Sequence, residues 1–346
     1  MTDIAANPLG LNGFEFVEFT SPDPDRMVAQ FEQLGFTATH RHPSKNITRY
    51  KQGRINLMLN RDADGRAADF RGAHGPSASA MAFRVADPVK ALEWALAHGG
   101  KPTIEDDTVI QGIGGSYLYF MKDGEDAYAR WAELPGWREA EAANNVGLDL
   151  LDHLTHNVRR GQMRVWSEFY RTLFGFEEQK YFDIKGKATG LFSQAMIAPD
   201  RAIRIPLNES QDDKSQIEEF IKDYNGEGIQ HLAMSTDNIF ETVEKLRARG
   251  VRLQDTIETY YELVDKRVPG HGEDLERLRK NRILIDGDVE NEGILLQIFT
   301  ENMFGPIFFE IIQRKGNEGF GNGNFQALYE SIELDQIRRG VIEVDS

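Results

Sequence analysis

Three residues that lie far apart in the chain carry side chains out of keeping with their surroundings: His153, His231 and Glu310. His153 sits in LDHLTHNV and His231 in GIQHLAM, both apolar runs of strand type. Glu310 sits in GPIFFEIIQRKG, between Ile307-Phe308-Phe309 and Ile311-Ile312. A carboxylate in such a run is costly to bury unless something pairs with it. Plainer readings exist for each residue. A strand histidine is usually a hydrogen-bonded core residue, and Glu310 could pair with Arg314 or face outward at a strand edge. Two imidazoles and one carboxylate from three strands nevertheless compose the facial triad of non-haem Fe(II) oxygenases, which leaves three coordination positions on one face. Two of these suit the carboxylate and keto oxygens of an α-keto acid, and the third suits O2. Zinc and manganese accept the same ligand types, so the pattern alone does not choose the metal.

The other histidines are His40, His42, His74, His98, His156 and His271. Most lie in polar loops or at helix ends, where a solvated histidine is the ordinary reading. His156 lies three residues beyond His153, which on a strand points it to the opposite face.

The elements that must position the triad read as repeats. Phe14–Phe36 (FEFVEFTSPDPDRMVAQFEQLGF) is strand, Pro/Asp turn and amphipathic helix closing on Gly35-Phe36, and Leu151–Phe176 reads the same way, closing on Gly175-Phe176. MAFRVADPVKALEWALAHGG ends at Gly100 and HLAMSTDNIFETVEKLRARG at Gly250; each is a strand, an Asp at the helix N-cap and a glycine-stopped helix. Short alternating runs such as Ala202–Pro206 and Leu295–Phe299 read as antiparallel strands. The pattern predicts an α+β fold of tandem βαβββ modules, two per half, in two domains over residues 1–146 and 147–346, with the boundary near Asn144–Gly147. Superposing the repeats puts Glu15 opposite His153 and Met81 opposite His231, so a metal site belongs to the second half, and the first half is expected to serve structure or oligomerisation.

Composition narrows the chemistry further. The 346 residues include no cysteine, which excludes disulfides, thiolate metal sites, Fe–S clusters and cysteine nucleophiles. Any metal must bind through nitrogen and oxygen. A net charge of −16 disfavours nucleic acid and anionic membrane surfaces as partners. It would also repel an anionic substrate, so a keto acid needs a local positive charge such as a bound cation. No apolar run of membrane-spanning length occurs, and MTDIAANPLG has no secretory pattern, so the expected location is cytoplasmic.

The second half resembles the catalytic half of the 4-hydroxyphenylpyruvate dioxygenases, of the vicinal-oxygen-chelate superfamily. The matching segments are LDHLTHNV, GIQHLAM, LLQIFT, FFEIIQRKG and GFGNGNFQALYESIE. The resemblance follows the whole chain in order and length and is densest from about residue 150 to 335. It implies two half-barrel-like domains and an Fe(II) enzyme, one iron per subunit, converting 4-hydroxyphenylpyruvate and O2 into homogentisate and CO2. It also implies a homo-oligomer, dimer or tetramer. On this resemblance His153, His231 and Glu310 are the iron ligands. Ser193 and the Pro206-Leu207-Asn208 turn match positions lining the substrate cavity, and Gln216, Gln230 and Gln297 match its glutamines, whose uncharged amides suit a phenol. Phe299, Phe308, Phe320 and Phe325 match the aromatic positions around the ring. The apolar stripe of Phe325, Leu328 and Ile332, in a helix over Asn324–Ile337, matches the family's lid, which would exclude water from the iron. Asn324 and Leu328 join the expected substrate contacts. The alternatives are 4-hydroxymandelate synthase, an extradiol ring-cleaving dioxygenase, or a non-enzymatic binding protein with structural histidines.

Overall fold

The computed structural model describes residues 7–104, 108–122, 124–185, 189–321, 323–324, 336–337 and 339–341. Phe325 and Leu328, with nearly all of the expected lid helix, lie outside the described residues.

Alternating and β-branched runs build two eight-stranded sheets, each curled into a half-barrel. The first comprises β1 (Phe14–Thr20), β2 (Thr37–Arg41), β3 (Ile47–Gln52), β4 (Ile55–Asn60), β5 (Ser77–Val85), β6 (Val109–Gln111), β7 (Tyr117–Lys122) and β8 (Ala132–Glu133). The second comprises β9 (Leu148–Val158), β10 (Glu177–Lys185), β11 (Gly190–Ile197), β12 (Arg204–Ser210), β13 (Gly228–Thr236), β14 (Leu284–Asp288), β15 (Gly293–Phe299) and β16 (Phe308–Lys315). Their orders are β6-β7-β5-β1-β4-β3-β2-β8 and β10-β11-β12-β9-β13-β16-β15-β14.

The repeats predicted from sequence are present, with local differences. Three modules place three strands after their helix. The module starting at β5 gives only β6 and β7, and the short β8 instead pairs with β2 at the far edge. The helix after β13 is capped by Asn238 rather than by Asp237, its side chain accepting from the Glu241 amide. Pro206-Leu207-Asn208 is not a turn but the middle of β12. Proline is tolerated there because the ladder from β12 to β9 runs from Leu207 to Glu209, so the missing N–H falls just outside it. His40 is buried in β2 rather than solvated in a loop.

Ladder register also corrects the superposition of the halves. On β13, His231 pairs with Thr155 of β9, while Ala233 pairs with both His153 and Glu310 of β16. On β5, Ala80 pairs with Glu18, and Ala82 pairs with Phe16 and with Tyr119 of β7. Both His231 and Ala80 lie seven residues before the cap of the helix that follows, Asn238 or Asp87. The first-half counterparts of His153, His231 and Glu310 are therefore Phe16, Ala80 and Tyr119, not Glu15 and Met81. Phe16 and Tyr119 touch, with ring centroids 5.7 Å apart. Apolar side chains fill the place that the second half gives to its polar cluster.

One continuous core joins the halves. The helix Met163–Phe174 follows β9 yet sends Phe174 against Phe83 and Phe120 of the first sheet. In the reverse direction Phe304, between β15 and β16, packs edge-on against Phe19 and Phe31 at 5.1 and 5.4 Å, and against Phe309. The halves should therefore unfold together. Phe304→Ala is expected to lower stability by about 3–5 kcal/mol, the usual cost of emptying a buried phenylalanine site. Urea unfolding followed by tryptophan fluorescence measures it, and a loss below about 1 kcal/mol would show that the halves do not depend on this packing.

Candidate metal centre

Three adjacent strands at the middle of the second sheet bring the sequence-distant residues together. β9 runs antiparallel to β13, and β13 runs parallel to β16. Because His153 and Glu310 face Ala233 from opposite sides, and His231 lies two residues before it, all three project from one face. Ala233 is fully buried and carries only a methyl group, which leaves its neighbours room to lean together.

They converge. Glu310 Oε2 lies 3.2 Å from His153 Nε2 and 3.4 Å from His231 Nε2, and the three side chains are buried. Two atoms each about 2.1 Å from one ion, at right angles, lie about 3 Å apart. The observed spacing fits a small divalent cation with the three donors on one face. Among the described residues this is the His/Asp/Glu cluster whose ligand atoms could hold a metal.

Each ligand is aimed by a second group. His153 Nδ1 donates to Asp152 Oδ1 at 2.8 Å, and His231 Nδ1 donates to Gln230 Oε1 at 3.1 Å. Holding the proton on Nδ1 leaves Nε2 as the donor atom for an ion. Gln297 Nε2 donates to Glu310 Oε1 at 2.7 Å, leaving Oε2 to face the imidazoles. Arg314 does not pair with Glu310. Its guanidinium is bidentate to Asp152, with both distances 2.7 Å.

The charges are coupled. Burial raises the cost of ionising Glu310, but the two imidazoles outweigh it and bring its pKa down to about 2. Burial disfavours imidazolium at His153, yet Glu310 and Asp152 prevail and its pKa stands above the ordinary value. Burial lowers the pKa of His231 despite Glu310, keeping that ring neutral. Burial works against ionised Asp152, and Arg314 overrides it, holding the carboxyl well below the usual range. His156 points the other way, into the core, where its Nε2 meets the Tyr170 hydroxyl at 2.7 Å and burial lowers its pKa to about 3.

The cluster opens onto a cavity of about 360 Å³ lined by His153, Thr155, Phe182, Ser193, Ala195, Pro206, His231, Gln297, Phe299, Glu310 and Phe320. Of the residues expected from sequence, Ser193, Pro206, Gln297, Phe299 and Phe320 line this cavity with the triad. Phe308 instead stacks on the His231 ring at 4.8 Å. Asn208 is buried two residues beyond Pro206, on the same face of β12. Gln216 is buried at the start of the helix Gln216–Asp223, and Asn324 accepts from the Tyr260 hydroxyl at 2.7 Å. Neither is part of the cavity lining.

Sequence reading missed Asp152, Thr155, Phe182 and Arg314. The first had a signal, since each candidate ligand histidine directly follows a hydrogen-bonding side chain, Asp152 or Gln230. Thr155, whose hydroxyl lies 3.0 Å from His231 Nε2, is on the same face as His153 two residues away. Nothing in EEQKYFDIK marks Phe182.

Comparison with known proteins fits this geometry. Residues 5–131 match the family model for the N-terminal part of hydroxyphenylpyruvate dioxygenase, and residues 150–263 match the Glyoxalase/Bleomycin resistance protein/Dioxygenase superfamily. A 4-hydroxyphenylpyruvate dioxygenase of Pseudomonas aeruginosa is 54% identical over 348 residues, covering 97% of both chains. The chain belongs to the 4-hydroxyphenylpyruvate dioxygenase family. A relative of the same name from Legionella pneumophila is 48% identical over 97% of this chain and 98% of its own. Among solved structures, a mutant of 4-hydroxymandelate synthase from Streptomyces coelicolor superposes with a TM-score of 0.82. It is 26% identical, and the match covers 95% of this chain and 100% of that one. Family membership and the buried triad make this a metal-dependent dioxygenase with two vicinal-oxygen-chelate halves.

A divalent cation competes with the proton that Glu310 and Asp152 favour on His153. Apparent metal affinity is therefore expected to be highest above the raised His153 pKa and to fall roughly tenfold per pH unit below it. Near the ordinary imidazole value of 6.5, each ion bound should release up to one proton. Anaerobic titration in weak buffer with a pH dye measures this, and pH-independent uptake without proton release would contradict the charge assignment.

Proposed function

We propose that this chain is an Fe(II) enzyme converting 4-hydroxyphenylpyruvate and O2 into homogentisate and CO2, with one iron per subunit held by His153, His231 and Glu310. The observation that carries the reading is the buried triad opening onto an aromatic-walled cavity. Full-length identity to relatives of that name supports the substrate.

Bound there, ferrous iron would supply the electrons and the coordination positions that O2 and a keto acid require. The chain supplies the rest. One carboxylate against a dication leaves the centre with a single positive charge, which offsets the −16 of the body and suits the substrate carboxylate. Phe182, Phe299 and Phe320, with Pro206, offer flat apolar surfaces for the ring. Asn208 Oδ1 and Gln297 Oε1 are buried acceptors without a donor among the described residues. A phenolic hydroxyl has one proton to donate, so Asn208, with Ser193, is assigned to the phenol, and Gln297, bonded to Glu310, to the part of the substrate nearer the ligands. Gln216 and Gln230 are assigned to the layer behind them, where Gln230 fixes the tautomer of His231. Phe320 stands edge-on against the His153 ring and shields it from water, the role the family resemblance also implies for Asn324, Phe325 and Leu328. The first half, its counterpart positions filled by Phe16, Ala80 and Tyr119, serves as scaffold. The acidic body fits a cytoplasmic homo-oligomer, dimer or tetramer, without a nucleic-acid or membrane partner.

A second reading, benzylic hydroxylation to 4-hydroxymandelate, is favoured by the structural likeness to a synthase. Both start from the same substrate. The expected result is a visible absorption band when 4-hydroxyphenylpyruvate joins the Fe(II) protein anaerobically, then homogentisate and CO2 when O2 is admitted. Hydroxymandelate as product would select the second reading, and neither band nor oxygen uptake would overturn both. Glu310→Gln and His231→Ala are expected to abolish uptake of iron and of O2.

A further inference from the structure

We infer that Arg314 is a positioning residue that locks the ligand His153 and the segment closing the cavity into one arrangement, an inference resting on the metal-site reading above. Its guanidinium is largely buried at the end of β16. One edge, Nε and Nη2, donates to Asp152 Oδ2 and Oδ1 at 2.7 Å each. Asp152 Oδ1 in turn accepts from His153 Nδ1 at 2.8 Å. The other side, Nη1, donates to the carbonyls of Asn317 at 3.0 Å and Gly319 at 2.5 Å. The next residue is Phe320, whose ring stands edge-on to His153 with centroids 5.5 Å apart. Arg314 thus reaches one imidazole from behind through Asp152 and from the front through the segment 317–320.

The segment is fitted closely to the site. Gly321 has φ +65°, and a Cβ there would stand 2.2 Å from Gln297 Oε1, so only glycine lets the chain lie against the amide that holds Glu310. Arg204 pairs with Glu318, and Gln179 Nε2 donates to the Glu318 carbonyl at 3.1 Å. These two tethers fix the segment to β12 and β10 without touching a ligand. Phe320 and Gly321 meet the ligand shell by packing, and among these hydrogen-bonded tethers Arg314 is the one that joins the segment to a ligand, through Asp152. The joint needs a planar fork: a guanidinium sends N–H groups in opposed directions within one plane, and an ammonium does not.

If one cation holds both parts, ordering either orders the other. An ion on His153 fixes Asp152, which fixes Arg314, which fixes the carbonyls of 317 and 319. The coupling is reciprocal, so a displaced segment weakens metal binding by the same factor.

The test uses the full-length protein, anaerobic and without substrate, and Co(II) as the probe, because its visible absorption reports coordination. Hydrogen exchange of the 317–321 amides is followed with and without Co(II). In the unsubstituted protein Co(II) is expected to slow exchange at 317–321. Arg314→Gln is expected to weaken Co(II) binding about 10- to 100-fold, change its absorption, and remove that slowing. Asp152→Asn should do the same, because it cuts the chain at its other link. Arg314→Lys keeps the charge without the fork, so it should reproduce both defects, and it carries the test if Arg314→Gln does not fold. Unaltered Co(II) affinity and absorption in the Arg314 variants would overturn the inference. So would Co(II) slowing exchange equally with and without Arg314. A protein that takes up no Co(II) even with Arg314 present would instead defeat the metal-site reading.

Discussion

Everything in the second half answers to one constraint: an ionised Glu310 buried against two imidazoles. A buried carboxylate is strongly unfavourable unless it is paired and hydrogen-bonded. Here Gln297 satisfies one oxygen and the imidazoles face the other. Within the protein alone, Glu310 and Asp152 favour the protonated form of His153, which offsets that charge. A divalent cation does so with one more positive charge, and that surplus suits a centre that must take an anionic keto acid inside an acidic protein. The outer layer repeats the logic one step further out, with Asp152 set against His153 and Arg314 against Asp152.

The fold meets the constraint through strand register. β9, β13 and β16 are held by ladders on both sides, so the ligand positions are fixed by backbone hydrogen bonds rather than by loops. A small residue, Ala233, sits where the three side chains need room. The first half uses the same strand order around its own centre but fills the matching places with Phe16, Ala80 and Tyr119. Duplicated topology therefore yields one scaffold and one reactive centre, tied through Phe304 and Phe174 into a common core.

The triad was legible because each member is a polar residue in an apolar strand, and such residues are rarely tolerated without a partner. The repeats were legible because a strand, a cap and a glycine-stopped helix recur. Alignment of the halves was off by one residue at His153 and His231 for a physical reason. Register shifts between Phe14 and Phe16 and between Ile229 and His231 change which face a residue takes, and nothing in the local pattern records a bulge. Pro206 read as a turn because proline usually interrupts strands; only the limits of its neighbour's ladder explain its place. Arg314 and Asp152 stand 162 residues apart, so their pairing has no local signature, and the tempting local partner of Arg314, Glu310, lies on the same face of β16 but is taken up by the two imidazoles and Gln297.

The central claim is that His153, His231 and Glu310 together hold one Fe(II). X-ray absorption at the iron edge of the anaerobically loaded protein tests it most directly. Two imidazole nitrogens and a carboxylate oxygen at about 2.0–2.2 Å, with the remaining positions filled by exchangeable oxygen, are expected. One imidazole or none, or an unchanged spectrum in Glu310→Gln, would contradict it.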